Sequence, residues 1–196
     1  MAGYETFRAE SPEDLLLLLL YAPGRDPKEP VDGATRLQKM VFLLQQDLSP
    51  RLILQDARSF DFRAFRMGPY SQELSRAVDE LVAGGLIAVE RLRFWLNDDS
   101  DAEAVSVSNE TEKRGAASSQ PVESLRFMIA PGIGERAAEE LWNGLPRRAR
   151  DELRQFKRFF NSLSLRQLLI YTYQRFPDFA TESEIKGQLG LTSERS

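Results

Sequence analysis

Between Leu37 and Leu86 the chain reads LQKMVFLL, then FDFRAFRMGPYSQEL, then AVDELVAGGLI, and this order constrains the fold more than any other segment. Leu37, Met40, Val41, Leu44 and Leu48 recur at helical spacing, the core stripe of a helix that starts near Ala34 and ends at Ser49-Pro50. Arg36 and Lys39 fall off that stripe. Phe60 and Phe62 alternate with Asp61 and Arg63, the pattern of a short strand. Phe65 and Met67 are out of phase with it, which places a bulge or bend near Arg63-Ala64. Gly68-Pro69 then makes a sharp turn, and Ser71 is a natural cap for a helix with the stripe Leu74, Val78, Leu81 and Val82. Gly84-Gly85 closes that helix, and Leu86–Phe94 reads as a strand.

The flanking segments extend this pattern. Ser11-Pro12-Glu13-Asp14 is a helix start, with a capping serine, proline at the first position and two acids at the positive end. The helix continues through six consecutive leucines, Leu15–Leu20, to about Tyr21. A helix apolar all round must be covered, either by the chain's own core or by a second copy or partner. Arg25–Gly33, RDPKEPVDG, reads as a polar linker. Asn97–Pro121 is acidic and nearly free of apolar side chains, the composition of a solvated loop. Leu125–Ala130 alternates again, so strand, loop and strand form a hairpin with a long acidic tip. Helices are expected over Gly132–Trp142, Arg147–Leu163 and Leu165–Phe176, the second with Leu153, Phe156, Phe160 and Leu163 on one face, and a short last one over Ser183–Leu189. The expected fold class is mainly α with a small antiparallel β-hairpin (α+β). It divides into an N-terminal helix and linker (1–33), a core (34–142) carrying the acidic loop at 97–121, and a C-terminal helical extension (143–196).

Composition removes several chemistries. The chain has no cysteine and no histidine, so disulfides, thiolate chemistry, a Ser-His-Asp triad and any His-containing zinc site are impossible within it. A net charge of −4 argues against a broadly basic nucleic-acid binder, though not against a local basic face. The leucine run is far too short to span a bilayer and follows acidic Glu10, Glu13 and Asp14, not the basic flank of a signal peptide. A cytoplasmic protein without membrane contact is the expectation.

Gly33, Arg36, Leu37, Gln38, Lys39, Met40 and Phe42, then Phe62, Phe65, Gly68, Pro69, Tyr70, Ser71 and Leu74, then Leu81, Gly85, Leu86 and Ile87, resemble the YwgA-like proteins, a bacterial family. Leu168, Leu169, Tyr171, Tyr173, Phe176, Pro177, Ser183 and Ile185 look like a second family element, a helix closed by an aromatic-Pro step. The match covers Gly33–Val89, and the C-terminal third more loosely. The resemblance implies a winged-helix-like core in which the hairpin is the wing. More remotely, the chain is similar to the Panacea-type antitoxin domains, which neutralise toxins by protein contact. Neither comparison transfers a catalytic residue. The acidic loop and the leucine-rich first helix depart from the family and speak against simple DNA reading.

Two surfaces are candidate macromolecule-binding sites. Arg147, Arg150, Arg154 and Lys157 or Arg158 share a helix face opposite the phenylalanines, and can hold phosphates, an acidic partner or the chain's own acidic loop. Arg36, Lys39, Arg66 and Tyr70 make a second patch around the Gly68-Pro69 turn. Three catalytic patterns carry little weight. Gly132-Ile133-Gly134 with Ala137 fits a dinucleotide turn, but no parallel βαβ unit follows it. Pro177-Asp178 with Glu184-Ile185-Lys186 imitates a metal-dependent nuclease, yet Ser183 reads as a helix cap where that chemistry wants a strand. Asp99, Asp101, Glu103 and Glu110 approach a calcium loop, but Ala104 stands where glycine is needed. No catalytic residue, cofactor or metal is therefore expected, and no small-molecule substrate is indicated. The sequence points to a non-enzymatic protein acting by macromolecular contact, with another protein or a second copy, in bacterial regulation or defence, including toxin neutralisation. A DNA-binding regulator is the alternative, and a metal-dependent nuclease ranks below it.

Overall fold

In a computed structural model the chain is mainly helical, with one small antiparallel sheet; the structure describes residues 11–48, 59–94, 122–183 and 189. Helix α1 (Pro12–Tyr21) opens with the capping box the sequence offers: Ser11 Oγ accepts from Asp14 N–H, and Asp14 accepts from Ser11 N–H at 3.1 Å. All six leucines of α1 are buried, and the chain itself covers them. Strand β1 (Val31–Asp32) leads through Gly33 into α2 (Ala34–Asp47). Helix α3 (Gln72–Ala83) precedes β2 (Ile87–Phe94), which pairs with β3 (Val122–Ile129). Helices α4 (Ile133–Gly144), α5 (Arg147–Ser162) and α6 (Leu165–Arg175) follow, then a 3-10 turn over Pro177–Ala180.

The sheet has the order β1-β3-β2, with Ile87 opposite Ile129, Phe94 opposite Val122 and Val31 opposite Phe127. The expected hairpin is present. Its third strand was hidden in the polar linker, because Val31 is the one aliphatic residue of RDPKEPVDG and two residues are too few to form a pattern. Val31 is fully buried and sets the register of that edge.

One buried cluster runs from Leu15 to Leu168 and draws on every helix and on all three strands. Residues of 1–33 and of 143–196 thus share their core with 34–142. Phe42 sits at its aromatic centre, edge-on to Phe62, Phe176 and Phe179 at 5.2, 4.9 and 4.8 Å. Helix α2 is buried without a break from Leu37 to Gln45, since α6, the sheet and α1 pack around it. On α3 the inward residues are Leu74, Ala77, Val78 and Leu81, whereas Val82, expected on that stripe, faces outward.

Two further expectations change. Phe60–Arg63 does not join the sheet; it is extended chain with a single antiparallel bridge, Arg63 to Tyr70. The bend falls at Phe65–Gly68, where Phe65 N–H donates to Gly68 O at 3.1 Å and Gly68 N–H to Phe65 O at 2.8 Å. Gly134, part of the dinucleotide-like pattern, is needed for packing: a Cβ there would collide with the main-chain oxygen of Leu86. The helix expected over Ser183–Leu189, the acidic loop, the calcium-like acids and the second half of the nuclease-like pattern lie outside the described residues, apart from Ser183 and Leu189.

Candidate interaction surfaces

The turn from Arg63 to Tyr70 is held from behind by polar side chains of α2. Proline has no N–H and a tight turn leaves main-chain groups without partners, so buried donors and acceptors must come from elsewhere. Gln45 supplies both, accepting from Phe60 N–H and donating to Phe60 O, each at 3.2 Å. Gln38 does the same at the other end: its Oε1 accepts from Ser71 N–H and its Nε2 donates to Ser71 O, both at 2.9 Å. Between them Lys39 Nζ donates to Pro69 O at 2.9 Å. The ring of Tyr173 lies under Gly68, whose φ of +85° and lack of a Cβ both matter for that contact. Met67 packs into a small cluster with Leu165, Leu169 and Tyr173.

This clamp corrects the expected second patch. Lys39 is 2% exposed and belongs to the interior. Burial pushes its amine down from the ordinary lysine range to about 7. Arg36 also turns inward in part, its Nη1 donating to Phe160 O at 3.2 Å and Leu163 O at 2.7 Å, where α5 leaves carbonyls unpaired. Desolvation lowers its pKa, against the attraction of Asp32 and Glu29. Arg66 stays exposed and Tyr70 is half-buried, its hydroxyl 3.3 Å from Ser75 Oγ, and they are joined by a residue not expected as a site, Phe65. Phe65 is 48% exposed, its ring 5.2 Å from that of Tyr70 and 5.9 Å from the Arg66 guanidinium. Its phase relative to Phe60 and Phe62 does not single it out, because Met67 shares that phase and packs inward.

On α5 the expected basic face loses one member. Lys157 is fully buried and donates to Leu20 O at 2.7 Å, and burial pushes its amine down to about 7, against the attraction of Glu29. It follows Phe156 and precedes Phe160 by one turn, so it lies on the border of the inward arc, where a long aliphatic stem can enter the core. Arg147, Arg154 and Arg158 are exposed on the expected line, and Arg150 on its flank is half-buried. Arg154 donates to Asp151 at 2.7 Å and lies over Trp142 at 5.3 Å; Arg147 stands 3.8 Å from the same carboxylate. Arg148 pairs with Glu152 at 2.9 Å. Across the hairpin, Arg93 pairs with Glu123 at 2.8 Å, and Arg126 makes a bidentate pair with Asp32 at 2.7 and 2.9 Å.

Among the described residues, no group of acids forms a metal cluster and no helix is long and apolar enough to cross a membrane. No family model, curated protein or solved structure matches this chain.

Proposed function

We propose that this protein is a non-enzymatic binding protein with a winged-helix-like core that works by contact with another protein. The observation that carries this reading is the clamped turn. Three buried polar side chains of one helix, Gln38, Lys39 and Gln45, hold the main chain of a short segment whose tip presents Phe65, Arg66 and Tyr70. A rigid loop bearing aromatic and arginine side chains loses little entropy on binding and has the composition of interface hot spots. The ion pairs of the hairpin favour protein over DNA, because Arg93 and Arg126 already face carboxylates. Bacterial regulation or defence, including toxin neutralisation in the cytoplasm, is the setting that the family resemblance supports.

Affinity purification of the full chain from its native extract tests the reading. One stoichiometric partner is expected, lost in the double variant Phe65→Ala/Arg66→Ala while thermal stability is kept. Self-association alone, or a partner indifferent to the turn, counts against it. The arginines of α5 support the alternative, a DNA-binding regulator, which requires a salt-steep gel shift abolished by Arg147→Glu/Arg150→Glu/Arg154→Glu; no shift at low salt ends that alternative.

A further inference from the structure

Strand β2 is an edge of the sheet, and its outer side is open. The bond from Ala130 N–H to Leu86 O fixes the phase of the ladder. By alternation, Ala88, Glu90, Leu92 and Phe94 bond to β3, while the main-chain groups of Val89, Arg91 and Arg93 point the other way. Among the described residues, nothing bonds to these main-chain groups. They line about 13 Å of edge with alternating donors and acceptors. The devices that commonly close an edge are missing: β2 has no proline, pairs with β3 over its whole length without a bulge, and has β1 on the far side of the sheet. What remains is charge. Glu90 stands opposite Arg126, and Arg93 opposite Glu123 at 2.8 Å. Arg91 stands exposed opposite Leu125 and forms no ion pair among the described residues.

We infer that this edge takes up an extended segment of a partner protein as a further strand, antiparallel to β2, with a carboxylate set against Arg91. The inference rests on the protein-contact reading and adds the form of the partner. Alternation specifies the guest: Val89, Arg91 and Arg93 share one face of the sheet, and Glu90 and Leu92 the other. The guest residues opposite Arg93, Leu92, Arg91, Glu90 and Val89 are then acid, aliphatic, acid, neutral and aliphatic in turn. Leu92 is half-buried but lies outside the buried core, so an aliphatic guest residue covers it. A second copy of this chain fits poorly. A two-fold pair of β2 strands sets one residue against its own copy; at mid-strand this is Glu90 or Arg91, so like charges meet on the axis. Nucleic acid fits poorly too, because phosphates carry no donor for the main-chain carbonyls of the edge.

The test uses the full chain and a labelled peptide with Glu-Val-Glu-Thr-Val at its centre, read by fluorescence anisotropy. Binding is expected, with slowed hydrogen exchange at the Val89, Arg91 and Arg93 amides. Methylating the two glutamate amides of the peptide, which point at β2 in this register, should abolish binding. Methylating the first valine and the threonine amides, which point away, should leave it intact. Arg91→Pro removes only an outward N–H, so melting should be little changed while affinity falls at least about tenfold. Arg91→Glu should weaken binding about tenfold through charge alone. No binding at low salt overturns the inference, as do equal effects of the two methylation patterns or unchanged exchange along β2. Tighter binding of a short DNA duplex, lost in Arg91→Glu, assigns the edge to nucleic acid and overturns it; self-association abolished by Arg91→Pro assigns it to a second copy and does the same. The turn variant Phe65→Ala/Arg66→Ala separates the two readings. If it abolishes capture of the native partner while β2 fails these tests, protein contact stands without this edge.

Discussion

Lys39 and Lys157 have much in common and sit in opposite electrostatic surroundings. Each is sealed from solvent, each donates to one main-chain carbonyl, and burial pushes each amine down to about 7. The acceptor of Lys157 is Leu20 O in the last turn of α1, where the helix dipole is negative, and Glu29 adds attraction. The acceptor of Lys39 is Pro69 O, two residues before the Ser71 cap of α3, near the positive end of that helix, and among the described residues no carboxylate acts on it. Lys157 therefore caps a helix, while Lys39 holds a turn against the local field. A buried charge that closes a helix end follows from packing; one that holds a surface turn from beneath favours a turn whose shape matters.

Charge reversal at Lys157 breaks the comparison most severely. Lys157→Glu places a carboxylate against the Leu20 oxygen with no donor, and a loss of more than about 4 kcal/mol is expected, enough to unfold most domains of this size. Arg158→Glu, one residue away on the outer face, should change stability by less than about 0.5 kcal/mol. Denaturant melts of the two variants measure the contrast, and equal losses would contradict the burial of Lys157.

The pH dependence of stability is next in size. An unfolded lysine holds its proton up to about 10.4, whereas these two release theirs in the folded state near 7. Below pH 7 both states bind the proton, so the full cost of burying the charge is present and does not vary. Between about 7 and 10 the unfolded chain binds more protons, so stability rises with pH, by at most about 1.4 kcal/mol per pH unit for each lysine. Melting temperature should climb from pH 7 to 9.5, and Lys39→Met should remove part of the slope. A flat profile in the unaltered protein would show that neither amine is depressed.

How far the sequence could anticipate this contrast depends on the range of the interactions. Ser71, Gly68-Pro69 and the Ser11 capping box act within a few residues, and the turn and both helix starts lay where expected. The leucines of α1 had to be covered, but what covered them depended on α4, the sheet and α2, which no local pattern specifies. Lys39 was placed outside because stripe counting assumes one buried face, and α2 is enclosed on nearly all sides. For the same reason Gln38 and Gln45 passed unnoticed: their partners, Ser71 and Phe60, lie 33 and 15 residues away in the chain. On α5, three of the five expected cations are exposed and Arg150 is half-buried, because an arginine line needs only the helical repeat to be read.

The turn itself can be sharpened by Gly68→Ala. The φ of +85° disfavours a side chain, and the added methyl meets the Tyr173 ring 2.5 Å away, so about 2 kcal/mol of stability should be lost. Hydrogen exchange locates the damage. The Tyr70 and Arg63 amides, which bond across the turn at 2.9 Å, should lose protection while α5 amides change only with global stability. Uniform loss would mean that the turn is no separate unit.

The smallest effect concerns the order in which the two amines titrate. Burial acts on both, but Lys157 has the negative end of α1 and Glu29 to hold its proton, and Lys39 has the positive end of α3 to expel it. A helix end is worth about 0.3–1 kcal/mol, and two ends acting in opposite directions convert to a difference of roughly 0.4–1.5 pH units. NMR titration of lysine-labelled protein, with Lys39→Met and Lys157→Met for assignment, should therefore find Lys39 losing its proton first. The reverse order would mean that the helix ends do not govern these amines, and the contrast drawn between them would reduce to burial alone.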